Sequence, residues 1–204
     1  NACADCYNAR PRNYPELSTQ EWFGILDKLC EIGIPHIVFT GGEPTLRDDL
    51  PELIQHAEKN GQITGLNTNG RKLKNTEYVQ QLVDAGLDHV QITFESSDPA
   101  VHDRMVCLPG AWTETLAGIK NVLQSKLYVM TNTTMLTTNV STIPATLDFL
   151  AELGMPTVGL NALIYSGRGK SVGTGLSEAQ LYPLLETAKE ITSKHDQRLI
   201  WYTP

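Results

Sequence analysis

Two short stretches of this chain gather residue types that do chemistry. Near its start, Cys3-Ala4-Asp5-Cys6 sets two thiols at Cys-x-x-Cys spacing, close enough for one loop to hold a metal or to run thiol redox chemistry. Further on, Gly41-Gly42-Glu43-Pro44 joins two positions without side chains to a carboxylate and a rigid ring. Such glycines expose backbone and permit an approach that a side chain would block, while the proline fixes the turn. Asn67-Thr68-Asn69-Gly70 is a second polar turn, and Gln91, Thr93 and Glu95 alternate with Val90, Ile92 and Phe94. Period two aims that polar set one way and the apolar set the other. With four cysteines the chain has too few for a disulfide framework, which fits a reducing, cytoplasmic compartment.

The elements that must position these residues follow from periodicity. Ser18 and Glu21 form a capping box behind Leu17, and Trp22, Ile25, Leu26, Leu29 and Cys30 recur at helical spacing up to Gly33. His36 to Thr40 reads as a buried strand, since Ile37, Val38 and Phe39 make an apolar run too brief for a helix, and it ends directly on Gly41. The unit recurs. Leu50, Leu53, Ile54 and Ala57 mark a helix closed by Gly61 before a strand from Gln62 to Leu66. Val79, Leu82 and Val83 lead to Gly86 and a strand from His89 to Phe94. Leu116, Ile119, Val122 and Leu123 precede a strand from Leu127 to Thr133. Ser141 caps a helix with Leu147, Leu150 and Leu153, ahead of a strand near Val158 to Ile164. A last helix runs from Ser177 toward His195. Gly33, Gly86 and Gly154 occupy like positions in three similar corners, each supplying a left-handed helix stop.

Alternating helices and strands imply a parallel sheet with right-handed crossovers. Five strands precede the last helix, and a sixth is expected upstream of the cysteines. That number is too small for the usual closed eight-stranded barrel, so the expected fold is α/β, an open, partial (β/α)6 barrel of parallel strands with outer helices. Its chemistry belongs at the carboxyl ends of the strands, where both glycine turns fall. A single domain spanning 1–204 is expected, read as a fragment whose N-terminus is missing because it opens on Asn1. No apolar run is long enough for a membrane helix, and a formal charge of −7 with no dense Lys/Arg block argues against a nucleic-acid surface.

Asn1-Ala2-Cys3-Ala4-Asp5-Cys6-Tyr7 resembles the last part of the CxxxCxxC loop of the radical S-adenosylmethionine superfamily, and Gly41-Gly42-Glu43-Pro44 resembles its GGEP motif. The order of the two across one αβ unit makes the joint resemblance specific. It implies a [4Fe–4S] cluster held by Cys3, Cys6 and a third cysteine two positions before Asn1. It also implies S-adenosylmethionine on the open iron, its amino group received by Gly41 and Gly42, with Glu43 adding negative charge and an acceptor near that cationic ligand and Pro44 fixing the turn. Thr93 and Glu95 match strand positions that the family uses around the cofactor. Asn69 and Asn132 stand at corresponding strand ends, and Arg168 lies in a segment, Tyr165 to Gly169, that in relatives meets the cofactor carboxylate. Tyr7 partly takes the adenine-facing role that the family gives to an apolar residue at the position of Asp5. The implied chemistry is reductive cleavage of the sulfonium to a 5′-deoxyadenosyl radical that takes hydrogen from a substrate, fed by an electron donor such as flavodoxin or ferredoxin. The resemblance is closest to the branch of peptide-modifying, sulfatase-maturating and haem-precursor-remodelling enzymes. A peptide or protein side chain is the expected substrate, with a tetrapyrrole or small molecule as the alternative, and any auxiliary-cluster domain lies outside this chain.

Other positions have plainer readings. Cys30 fills the core side of its helix. Cys107 lies in a loop, Arg104 to Gly110, where a thiol that gives a hydrogen atom to a substrate radical is the sharper alternative. His102 and Asp103 brace or cap that loop, and Asp48 and Asp49 cap the helix containing Pro51. Two other classes stay open: a zinc or electron-transfer module, which needs two more ligands at ribbon spacing, and a barrel hydrolase or isomerase, which needs acidic and histidine side chains at several strand ends.

Overall fold

The computed structural model describes residue 1, residues 3–8 and residues 15–202. Helices α1 (Thr19–Glu31), α2 (Leu50–Lys59), α3 (Thr76–Asp84), α4 (Pro99–Val106), α5 (Ala111–Leu123), α6 (Ile143–Glu152) and α7 (Glu178–Lys194) alternate with six strands. These are β1 (His36–Phe39), β2 (Ile63–Thr68), β3 (His89–Thr93), β4 (Tyr128–Thr134), β5 (Thr157–Asn161) and β6 (Arg198–Tyr202). All neighbours pair in parallel, and the strand order in the sheet is the order in the chain. Sequential parallel pairing with right-handed crossovers puts the crossover helices on the same face, leaving the other face as a lumen. The sheet is an open six-stranded part of a barrel, as the repeated αβ pattern predicts.

The core lies between strands and helices. Leu66, Val90, Ile92, Val129, Val158 and Leu160 from the sheet pack on Ile54, Leu82, Ile119, Val122, Leu147 and Leu150. On β3 the alternate residues Gln91 and Thr93 are only half-buried, so the polar row faces the lumen. At the amino end of that lumen His36 and His89 meet Nε2 to Nε2 at 2.7 Å. They do so across Gly65, where a Cβ would lie 2.2 Å from the His89 ring. Side chains therefore fill the amino end, and room for a ligand lies at the carboxyl end.

Several sequence expectations need correction. The chain adds β6 after α7, where no strand was expected; the strand expected upstream of Asn1 lies outside the described residues. Arg104 to Val106, read as the start of a loop, belong to helix α4, which was not expected. Asp98 caps α4 by accepting from Ala100 N at 2.8 Å and Val101 N at 3.2 Å, with Pro99 at the first helical position. α6 starts after Thr142, not Ser141. Asp49 does hold the N-cap position of α2, but its carboxylate accepts from Arg47 Nε at 2.9 Å and Thr19 Oγ1 at 2.7 Å, tying α2 to α1 instead of capping. The corner glycines behave as expected: Gly33, Gly86 and Gly154 have φ of +80°, +93° and +81°.

α4 ends on Cys107 with φ 53° and ψ 43°, a left-handed conformation that β-carbon crowding disfavours. Its thiol is exposed and turned to Arg104 O at 3.5 Å. Cys107→Gly should therefore stabilise the fold by about 0.5–1 kcal/mol, relief of crowding exceeding the added freedom of the unfolded chain. A urea midpoint that falls in this variant would contradict the assignment.

Candidate functional site

The carboxyl ends of the strands carry the site. After β1 the chain turns through Gly41, at φ +154°, and Gly42; a Cβ built at either meets no atom of the described residues within 4 Å, so among them the turn faces open space. Glu43 locks this turn to the next strand. One carboxylate oxygen accepts from Thr45 N at 3.2 Å, Thr45 Oγ1 at 2.7 Å and Thr68 Oγ1 at 2.6 Å, and the other accepts from Asn69 N at 2.8 Å. Both oxygens thus have protein donors, and Glu43 acts by holding β1 and β2 together rather than by offering a free charge. Pro44 is buried and opens a short 3₁₀ turn. Asn69 turns its side-chain oxygen to Arg71 N at 3.0 Å.

On the next strands Thr93 and Asn132 are register partners, as are Thr134 and Asn161. The side-chain oxygens of Asn132 and Asn161 are buried and accept no hydrogen bond from the described residues. An unpaired buried acceptor carries a desolvation cost that a bound donor removes. Glu95 follows β3, 3% exposed, with Thr134 N donating to Oε2 at 2.9 Å. Burial, then the charge of Asp5, raises its pKa well above the carboxylate range, against the pull of the Thr134 hydrogen bond.

Above this rim lies the thiol loop, held at three points. Arg71 Nη1 donates to Asn1 Oδ1 at 3.3 Å, Ala4 N donates to Met105 O at 3.0 Å, and Arg168 N donates to Cys6 O at 2.9 Å. The last contact is tight. At Gly167, φ +52°, a Cβ would lie 2.5 Å from both Cys6 O and Tyr7 O, and at Gly169 it would lie 2.2 Å from Ile164 O. The glycines of the Ser166 to Gly169 segment let backbone rest on backbone. Burial, then the charges of Glu95 and Asp5, pushes the Cys3 thiol up to about 12. A thiolate at Cys3 is therefore favoured only when a cation shares its site, as metal ligation supplies. Burial also raises Asp5, with Arg168 opposing.

Cys3 and Cys6 thus share one rim with Glu95 and Arg168, and the loop reaches Arg71, which adjoins the Asn69 turn that Glu43 grips. Tyr7 is 52% exposed beside Gly167. Cys107 sits at the exposed end of α4, its thiol toward helix carbonyls. The sequence read His102 only as a brace of its loop and did not mark Asn139: His102 Nδ1 accepts from Glu95 N at 3.2 Å, and Asn139 Nδ2 donates to Glu95 O at 2.8 Å. Asp103 caps α5 through Trp112 N at 2.8 Å, in line with its sequence reading. The residues fit an iron–sulfur centre with a polar organic ligand: two thiols beside Glu95, an open glycine turn and orphaned amide oxygens lie at the carboxyl ends of the strands.

The sequence pattern of the Radical SAM superfamily matches residues 1–150. The chain is 34% identical over 195 residues to Fe-coproporphyrin III synthase of Methanosarcina barkeri, covering 94% of this chain and 48% of that protein. It is 35% identical over 153 residues to PqqA peptide cyclase of Rhodopseudomonas palustris, covering 74% of this chain and 40% of that protein. It spans about half the length of the curated relatives it matches. Among solved structures, Streptococcus suis SuiB bound to S-adenosylmethionine superposes over 100% of this chain and 47% of its own, with TM-score 0.84 at 17% identity. The structure of anSMEcpe with bound AdoMet and a peptide does so over 97% of this chain and 59% of its own, with TM-score 0.79 at 15% identity. These likenesses agree on the fold.

His102 makes the site sensitive to acid. Burial holds its pKa down to about 4 from an ordinary 6.5, despite the opposing charge of Asp103. Above pH 6.5 the imidazole is neutral folded or unfolded; below it the unfolded chain takes up a proton that the folded chain refuses until about pH 4. Stability should fall across that window, by at most about 3 kcal/mol from this group, and urea midpoints should fall less steeply with acid in His102→Asn. Parallel pH profiles for the two proteins would contradict a neutral, buried His102.

Proposed function

This chain belongs to the Radical SAM superfamily, and we propose that it is the core of an enzyme modifying a peptide or protein side chain by radical chemistry. The observation that carries the reading is the seating of the Cys3–Cys6 loop on the rim that also bears the Gly41–Pro44 turn and the orphaned amides. Cys3 and Cys6, with a third cysteine two positions before Asn1, would hold a [4Fe–4S] cluster. When bound, the cluster and S-adenosylmethionine supply reductive cleavage of the sulfonium to a 5′-deoxyadenosyl radical.

The chain's own residues bind, orient and shield. Backbone at Gly41 and Gly42 receives the amino end of the cofactor, since no side chain fills the space before it. Asn132, Thr93, Glu95 and Asn69 offer polar groups along the mouth, and Arg168 and Tyr7 flank the loop on its outer side. The half-exposed lumen leaves room for substrate beside them. An external donor such as flavodoxin or ferredoxin supplies the electron.

The peptide reading is supported by the PqqA peptide cyclases and by SuiB, solved with its precursor peptide SuiA. A second reading, remodelling of a haem precursor, is favoured by the 94% and 89% of this chain that align with Fe-coproporphyrin III synthase and an AdoMet-dependent heme synthase. Anaerobic reconstitution of the protein with its natural residues before Asn1 tests the shared core. The expected result is an iron–sulfur chromophore and dithionite-dependent 5′-deoxyadenosine, both lost in Cys6→Ala. Gly42→Val should keep the chromophore and bind S-adenosylmethionine at least about tenfold more weakly, since a methyl group enters the open space before the turn. Retained deoxyadenosine in Cys6→Ala would falsify the proposal.

A further inference from the structure

We propose that His102 and Asn139 are positioning residues that clamp the backbone on both sides of Glu95 and so aim its carboxylate at the cofactor mouth. This rests on the radical-enzyme reading above and adds to it two residues that act through Glu95. The β3–β4 ladder ends at Thr93 and Asn132, and Phe94 N still donates to Asn132 O at 2.9 Å. At Glu95 the chain leaves the sheet, where its N–H and C=O lose strand partners and a buried peptide must find others.

His102 supplies the first. From α4 its Nδ1 accepts the Glu95 N–H at 3.2 Å, which places the ring proton on Nε2 and requires a neutral imidazole. Asn139 supplies the second. Its Nδ2 donates to Glu95 O at 2.8 Å and to Thr134 O at 2.9 Å, while its Oδ1 accepts from Leu136 N at 2.9 Å. Thr134 N closes the arrangement by donating to the Glu95 carboxylate. His102 is 1% exposed and Asn139 fully buried, so water does not substitute for either. Backbone N–H, backbone C=O and one side-chain oxygen are each engaged, which holds the side chain's base in place and ties its end to β4. The Phe94 ring, 5.3 Å from the His102 ring between centroids, packs the same corner.

The test is anaerobic equilibrium binding of S-adenosylmethionine to the cluster-reconstituted protein, with thermal melting measured on the same samples. His102→Leu, of similar bulk without the acceptor, should weaken binding about tenfold by freeing Glu95, and His102→Asn, whose amide oxygen reaches near the place of Nδ1, should recover most of it. In a Glu95→Ala background His102→Leu should change the affinity less than about twofold, because the residue acts through Glu95. If His102→Leu does not fold, His102→Gln, whose longer amide misses the Glu95 N–H, takes its place with the same pattern expected. An equal loss of affinity with and without Glu95, or lower melting with unchanged affinity, overturns the clamp. So does an unchanged affinity in Glu95→Ala, which leaves the radical-enzyme reading standing. Absence of binding in the unsubstituted protein overturns both.

Discussion

The site depends on one steric constraint, the resting of the thiol loop on the segment after β5 with no side chain between them. Arg168 N reaches Cys6 O at 2.9 Å only because Gly167 has no Cβ to meet Cys6 O and Tyr7 O. A loop carrying two thiols has little regular structure of its own, so its neighbours must hold it, and here they do so by main-chain contact on two sides. The second side is α4, where Met105 O receives Ala4 N. Main-chain hydrogen bonds of this kind do not depend on the identity of the loop residues, which leaves Ala4 and Asp5 free to differ.

Electrostatics give that placement its chemical meaning. The mouth gathers Cys3, Asp5 and Glu95, all acids whose ionisation is opposed by burial, with the Arg168 cation countering that effect at Asp5. Such a set is costly when ionised alone and is relieved by positive charge at its centre. Glu43 stands apart, its oxygens fully used by Thr45, Thr68 and Asn69, so its part is architectural. The mouth thus sets Glu43, whose oxygens are held by protein donors, apart from the buried acids around Cys3.

Much of this was legible in the sequence, for physical reasons. Apolar runs of strand length following amphipathic helices, most of them closed by glycine, located β1 to β5, the capping box at Ser18 located α1, and Ser177 marked the start of α7. The two elements that escaped share a cause. α4 and α7 stop on left-handed Cys107 and Asp196, the positive-φ residues other than glycine among those described, so no glycine signals the corner. Without that punctuation α4 merged into a loop and the Leu199 to Trp201 run after α7 went unread as β6. The braces on Glu95 were illegible for a different reason. Asn139 reaches it across 44 positions and His102 from a helix that was not recognised, and neither position differs in type from an ordinary turn or helix residue.

The central claim is that close backbone contact at Gly167 holds the thiol loop in a metal-binding shape. Gly173 offers a matched control: its φ of +68° resembles the +52° of Gly167, but a Cβ there meets nothing within 4 Å. Iron bound per chain after anaerobic reconstitution should fall severalfold in Gly167→Ala and stay near that of the unsubstituted protein in Gly173→Ala. Equal iron in the two variants would show that the loop keeps its shape without the contact, and the account would be wrong.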